Sequence, residues 1–162
     1  ASLPRSDSIH ERGSRVALWV SAIEILAHPP NANANLGTVL NLLDELTWND
    51  ARLRARRYVV RYGNNPPRRR LVGKLYRELY QARNDFLHGN DVSITRLFPF
   101  EDVALPALPR TAAFIYKAAL LAFVAGVRDR RRRRAHAAQE LQDLWEAGGF
   151  EECLLKAGGI EP

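Results

Sequence analysis

The run Arg83-Asn84-Asp85-Phe86-Leu87-His88-Gly89 gathers the residues of this chain best suited to chemistry. A guanidinium presents a rigid fork of donors that matches phosphate oxygens. An imidazole is the side chain that titrates nearest neutral pH. Together they make a phosphate site with an acid/base group beside it. If the run closes a helix, Asn84 and His88 stand four apart on one face and can hydrogen-bond, which would orient the ring. Arg83 and His88 stand five apart, roughly 140° around the helix and about 7.5 Å along it, so the long Arg must swing part of the way back. The same residues also read as an ordinary helix end, with His88 capping carbonyls and Arg83 paired with Asp85 or a neighbour. Spacing alone favours that quieter reading.

Other chemistries lack their residues. The chain has no phosphate-cradling glycine loop and no paired-cysteine motif. His10, His28, His88 and His136 never stand three or four apart, so metal-ligand spacing is absent and neither metal nor cofactor is expected. Ser21 and Ser93 lack the strained turn of a nucleophilic serine. Cys153 suits a buried structural thiol better than a nucleophile.

The elements that must position Arg83 and His88 are helices. Val16, Trp19, Val20, Ile23 and Ala27 recur at helical spacing, which predicts a first helix from Ser6 or Ser8 to just before Pro29-Pro30. After a polar linker over 31–35, Leu36, Val39, Leu40, Leu43 and Leu46 predict a second, running on to Tyr62. Gly63-Asn64-Asn65-Pro66-Pro67 stops it. A third starts near Pro67 or Arg68, carries the stripe Val72, Leu75, Leu79, Ala82 and Phe86, and ends at Gly89, the residue type that most readily turns left-handed after a helix. Residues 90–109 form a long loop with three prolines, of the kind that carries function or a short element of its own. A fourth helix opens at Arg110 or Thr111 and either breaks near Gly126 or continues through the arginine run. Leu141, Leu144 and Trp145 mark a short last helix, with one further turn around residues 153–155. Four to five antiparallel helices in one domain over 1–162 make an all-α, up-and-down bundle.

Composition agrees with a folded chain: of 162 residues, 46% are apolar and 26% charged. The most apolar stretch, residues 112–127, is interrupted by Lys117, so no membrane partner is expected. The single cysteine and the absence of an apolar leader suit a reducing, cytoplasmic setting. The sequence contains no methionine, which points to a processed product or a piece of a longer protein. The net charge is +6, carried by 21 Arg and only 3 Lys. Biased base composition can raise Arg everywhere, but the cations cluster. Arg52, Arg56, Arg57, Arg68, Arg69 and Arg70 form one group and Arg131 and Arg132 sit in the other, and these are the expected nucleic-acid contacts.

The run at 83–89 resembles the R-N-x-x-x-H-G signature of the HEPN superfamily, with Leu75-Tyr76 and Leu79-Tyr80 similar to its lead-in. Ala22-Ile23-Glu24-Ile25-Leu26 is similar to the first helix of its Apea-like branch. The specific match covers about 20 residues. The resemblance implies a helical bundle that dimerises and a metal-independent endoribonuclease, active in defence or as a toxin in some members. It makes Arg83 and His88 the catalytic pair, Asn84 an orienting or phosphate-contacting residue, and Glu24 and Asp85 supporting ones. It also allows a non-catalytic module for nucleic-acid binding or dimerisation, fused or partnered with another protein. RNA cleavage by its own 2′-OH needs a base, an acid and charge stabilisation on phosphate. One chain offers one such His, so two chains are expected to meet with an anion between their arginines.

Overall fold

The stripes at three- and four-residue spacing do build helices. The computed structural model describes residues 6–28, 35–61, 66–90, 93–126 and 131–160, with backbone alone described at 6–10, 12 and 131–135. Among the described residues four long helices, α1 (Ser6–Ala27), α4 (Leu71–Leu87), α5 (Leu108–Gly126) and α6 (Arg131–Glu146), join three short ones, α2 (Leu36–Asp44), α3 (Ala51–Ala55) and α7 (Phe150–Ala157). The fold is an all-α bundle. The linker residues 29–34, most of the predicted stop at 62–65 and the cations Arg128 and Arg130 lie outside the described residues.

Helix α5 is central, in contact with α1, α2, α4, α6 and α7. Its buried face is mostly small (Ala112, Ala118, Ala119, Ala122), which lets neighbouring helices approach closely, with Leu108, Ile115 and Leu121 filling the gaps. By length and hydropathy alone α5 meets the minimum for a membrane span, with 44% of that window buried inside the bundle. Val16, Val20 and Ile23 of α1, Val39, Leu40 and Leu43 of α2 and Val72, Leu75, Leu79 and Ala82 of α4 pack into the same core.

The second predicted helix is a correction. It ends at Asp44 instead of running to Tyr62. Asn35 starts it with a capping box: its side chain accepts from Thr38 N–H at 3.1 Å while Thr38 Oγ1 accepts from Asn35 N–H at 2.8 Å. The following link can leave the helix because tertiary partners satisfy its backbone. Arg70 donates to the Leu46 carbonyl, Arg54 donates to the Trp48 carbonyl at 3.3 Å, and the Glu151 carboxylate accepts from Asn49 N–H at 2.8 Å and Asp50 N–H at 2.6 Å. Asp50 then caps α3. Beyond it, Tyr58–Val59 (β1) pairs antiparallel with Arg68–Arg69 (β2), so α4 starts at Leu71, three or four residues later than the expected start at Arg68 or Pro67. The Tyr-Val-Val run suits an extended ribbon.

The loop at 90–109 carries two 3₁₀ turns, Ile94–Leu97 and Pro99–Glu101. The C-terminal segment is a correction as well. It holds a 16-residue α6 and an eight-residue α7 whose Phe150, Leu154 and Leu155 are buried. The Phe150 ring lies between Trp48 at 6.0 Å and Trp145 at 5.9 Å. Glu151, 4% exposed, pins this end to the link after α2. Replacing Glu151 by Ala strands two backbone donors and should lower the unfolding free energy by about 1–3 kcal/mol in urea melts. Glu151→Gln, which keeps one acceptor oxygen, should lose less.

Candidate functional site

The end of α4 is set by a local motif. His88 is the C-cap, Gly89 follows at φ +67°, Gly89 N–H donates to the Phe86 carbonyl at 3.3 Å and Asn90 N–H to the Asp85 carbonyl at 3.0 Å. This is the Schellman pattern, and it puts the His88 side chain in solvent. The link between Asn84 and His88 is a backbone one, His88 N–H to the Asn84 carbonyl at 3.0 Å. Among the described residues, the Asn84 amide makes no bond to the imidazole.

Arg83 is turned the other way. Side chains on a helix lean toward its N-terminus, and the Arg83 guanidinium lies over the Tyr80 ring, 5.6 Å from its centroid. Its Nη1 stands 3.8 Å from Glu24 Oε1 on α1, with both side chains less than a quarter exposed. Glu24 is thus brought to Arg83. Arg83 Nε and the neighbouring Tyr76 hydroxyl are buried without a hydrogen-bond partner among the described residues. Burial pushes the Tyr76 phenol well above its ordinary range, Glu24 and Tyr80 push it further, and Arg83 opposes them. Within one chain the guanidinium is therefore engaged with α1 while His88 is exposed.

Gly13 supports this arrangement from α1. A Cβ there would sit 2.3 Å from the Phe86 ring, so only glycine lets that ring lie against α1 beside the site.

Asp85 does not pair with Arg83. It accepts from Gln81 Nε2 at 2.8 Å and from Arg96 Nε at 3.1 Å, and Arg96 Nη1 continues to Glu101 Oε1 at 2.6 Å. Burial raises the Asp85 carboxyl, but the bonds from Gln81 and Arg96, with the Arg96 charge, outweigh it and hold the carboxyl below its ordinary range. Glu101 and Phe100 are held at φ 60° and 56°, a left-handed strain of about 1–3 kcal/mol each.

The expected basic surface is divided. Arg52 pairs with Asp50 at 2.8 Å, Arg69 with Asp44 and with Asn41 Oδ1 at 3.0 Å, and Arg70 is spent on the Leu46 carbonyl. These three hold the α2–α4 region together. Arg56, Arg57 and Arg68 are exposed, with Arg57 donating to the Arg54 carbonyl at 3.0 Å. Arg131 and Arg132 open α6, and their side chains lie outside the described residues.

A feature the sequence reading passed over is a groove of about 630 Å³ lined by Val59, Arg61, Lys74, Arg77, Glu78, Gln81 and Arg96. Its signal was present in α4: Lys74, Arg77, Glu78, Gln81 and Asp85 repeat at three and four, a polar stripe beside the apolar one. Among the described residues no group of three or more His, Cys, Asp or Glu could hold a metal ion.

Two outcomes follow. Gly13→Ala should displace the Phe86 ring and lower stability by about 1–3 kcal/mol, read by thermal melts. Because the folded Asp85 carboxyl is lowered, its stabilisation is complete above its ordinary value of 3.8 and is lost as pH falls through the lower folded value. Asp85→Asn should therefore flatten the fall in melting temperature below about pH 4.

No family model matches this chain, and neither a curated protein nor a solved structure does.

Proposed function

We propose that this chain is a HEPN-type endoribonuclease domain that cleaves single-stranded RNA, without a metal, as a homodimer. The observation that carries the reading is the Arg83-Asn84-x-x-x-His88-Gly89 run standing at the end of amphipathic α4, with the His88 imidazole in solvent at the cap. An imidazole sealed inside the bundle would have no access to RNA.

In the proposed reaction one imidazole takes the proton of the 2′-OH while that oxygen bonds to the adjacent phosphorus. The bond from phosphorus to the 5′-oxygen breaks, and a second imidazole gives that oxygen a proton. The products are a 2′,3′-cyclic phosphate and a 5′-hydroxyl. One His88 per chain makes the second imidazole a partner's, and the guanidinium carries the charge that grows on phosphate. The 2′-OH requirement excludes DNA as substrate.

A second reading has its own support. Arg83 is engaged with Glu24 and Tyr80, which suits a non-catalytic HEPN module for nucleic-acid binding or dimerisation. Labelled single-stranded RNA incubated with the protein in EDTA separates the two. Under the first reading His88→Ala slows cleavage by about 10²–10⁴-fold, and Arg83→Lys, which can still face Glu24, slows it through loss of the fork. Equal cleavage by wild type and both variants rejects the catalytic assignment. Salt-dependent binding with no cleavage by wild type favours the second.

A further inference from the structure

The groove beside α4 combines features that neither the Arg83–His88 pair nor the bundle's packing uses. Four cations line it, Arg61, Lys74, Arg77 and Arg96, against one lining carboxylate, Glu78. Two of the four are matched by acids: Lys74 meets Glu78 at 2.6 Å, and Arg96 meets Asp85 and Glu101. The other two keep their charge. Among the described residues Arg77 is fixed by neutral acceptors alone, its Nε donating to the Arg61 carbonyl at 3.0 Å and its Nη1 to Gln81 Oε1 at 2.8 Å. Arg61 is exposed and has no ion-pair partner among the described residues. A guanidinium held in place without neutralisation is prepared for an anion.

The second, independent observation is aromatic. Phe100 is 37% exposed although its backbone is held left-handed. Its ring lies under the Lys74 ammonium at 5.6 Å and beside Tyr58 at 6.1 Å. Strained residues kept against their preference cluster where binding or switching occurs. Here the strained pair places a ring beside Lys74, next to the groove's lining, and, through Glu101, steadies Arg96. Val59, 48% exposed, adds an apolar wall. A cationic track with an exposed ring beside it is the arrangement that holds single strands, with phosphates on the cations and a base on the ring. From Lys74 to Gln81 the α4 face spans about 10 Å, or about three steps of a stacked strand at 3.4 Å each.

We propose that this groove holds a strand of single-stranded RNA, with Arg61 and Arg77 on its phosphates and Phe100 under a base. That the polymer is RNA rests on the ribonuclease reading above; the groove's contacts themselves do not involve His88.

The experiment titrates a fluorescein-labelled single-stranded RNA 20-mer into the full chain, in EDTA, over a salt series. A duplex of the same sequence is titrated beside it and cleavage is scored in parallel. Arg61→Gln and Arg77→Gln should each weaken binding on the order of fivefold or more and lower the slope of log affinity against log salt by about 0.7. Phe100→Ala should weaken binding by about fivefold or more with the slope unchanged. Arg61→Gln alters an exposed side chain and decides the matter if Arg77→Gln fails to fold. Wild-type affinity in folded Arg61→Gln and Phe100→Ala overturns the groove, as does equal binding of the duplex or no RNA binding by wild type. Binding that falls in these variants without any cleavage by wild type upholds the groove and rejects the ribonuclease. Cleavage by wild type with groove variants binding normally does the reverse.

Discussion

One buried stripe on α4 governs what every polar residue near the candidate site can do. Val72, Leu75, Leu79 and Ala82 face the core, so the helix cannot rotate without exposing them. That single constraint hands Arg83 to α1, where Glu24 waits, hands Lys74, Arg77, Glu78 and Gln81 to the groove, and leaves Asp85 to Gln81 and Arg96. It leaves His88, just past the last helical residue, to solvent. The rotation is reinforced where the Phe86 ring lies over Gly13. Three chemically different faces thus come from one amphipathic element.

The charges of this protein divide into those that build and those that remain available. Arg52, Arg69 and Arg70 are close in sequence to exposed cations, yet each is engaged with an acid or a carbonyl of the bundle. Arg70 and Glu151 work on the same problem from opposite sides. Between them they satisfy the irregular backbone from Leu46 to Asp50, which lets the chain leave α2 and turn toward the ribbon. The groove cations differ in that Arg61 and Arg77 meet no carboxylate among the described residues. A count of basic residues could not separate these groups; their partners do.

Much of the fold was legible. Most of the stripes of α1 and α4 matched buried residues (Val16, Val20, Ile23, Val72, Leu75, Leu79 and Ala82), with Trp19, Ala27 and Phe86 half-buried, because helix periodicity reports directly which face is apolar. The end of α4 at Gly89 was legible for a local reason, since a left-handed residue is cheapest as glycine. What failed was local reading of segments held by distant partners. Leu46 and Trp48 are buried as any helix stripe would be, yet they lie in a link stabilised from α7 and from Arg70. Helix α7 itself was reduced to one turn, because eight residues show too short a period and its anchors, Trp48 and Trp145, come from elsewhere.

The candidate site divides along the same line. Sequence alone determined the residue types, their order at the end of an amphipathic helix and the cap that exposes His88, because all of these arise within a few residues of one another. Only the tertiary structure decided that Arg83 turns back to Glu24 and Tyr80 and that Asp85 belongs to Arg96. It also decided that Arg61, Lys74, Arg77 and Arg96 share one groove. Those pairings join residues up to 59 positions apart in the chain, Glu24 to Arg83 being the widest. Their geometry follows from how helices pack and from where turns place a long side chain, which no local spacing encodes.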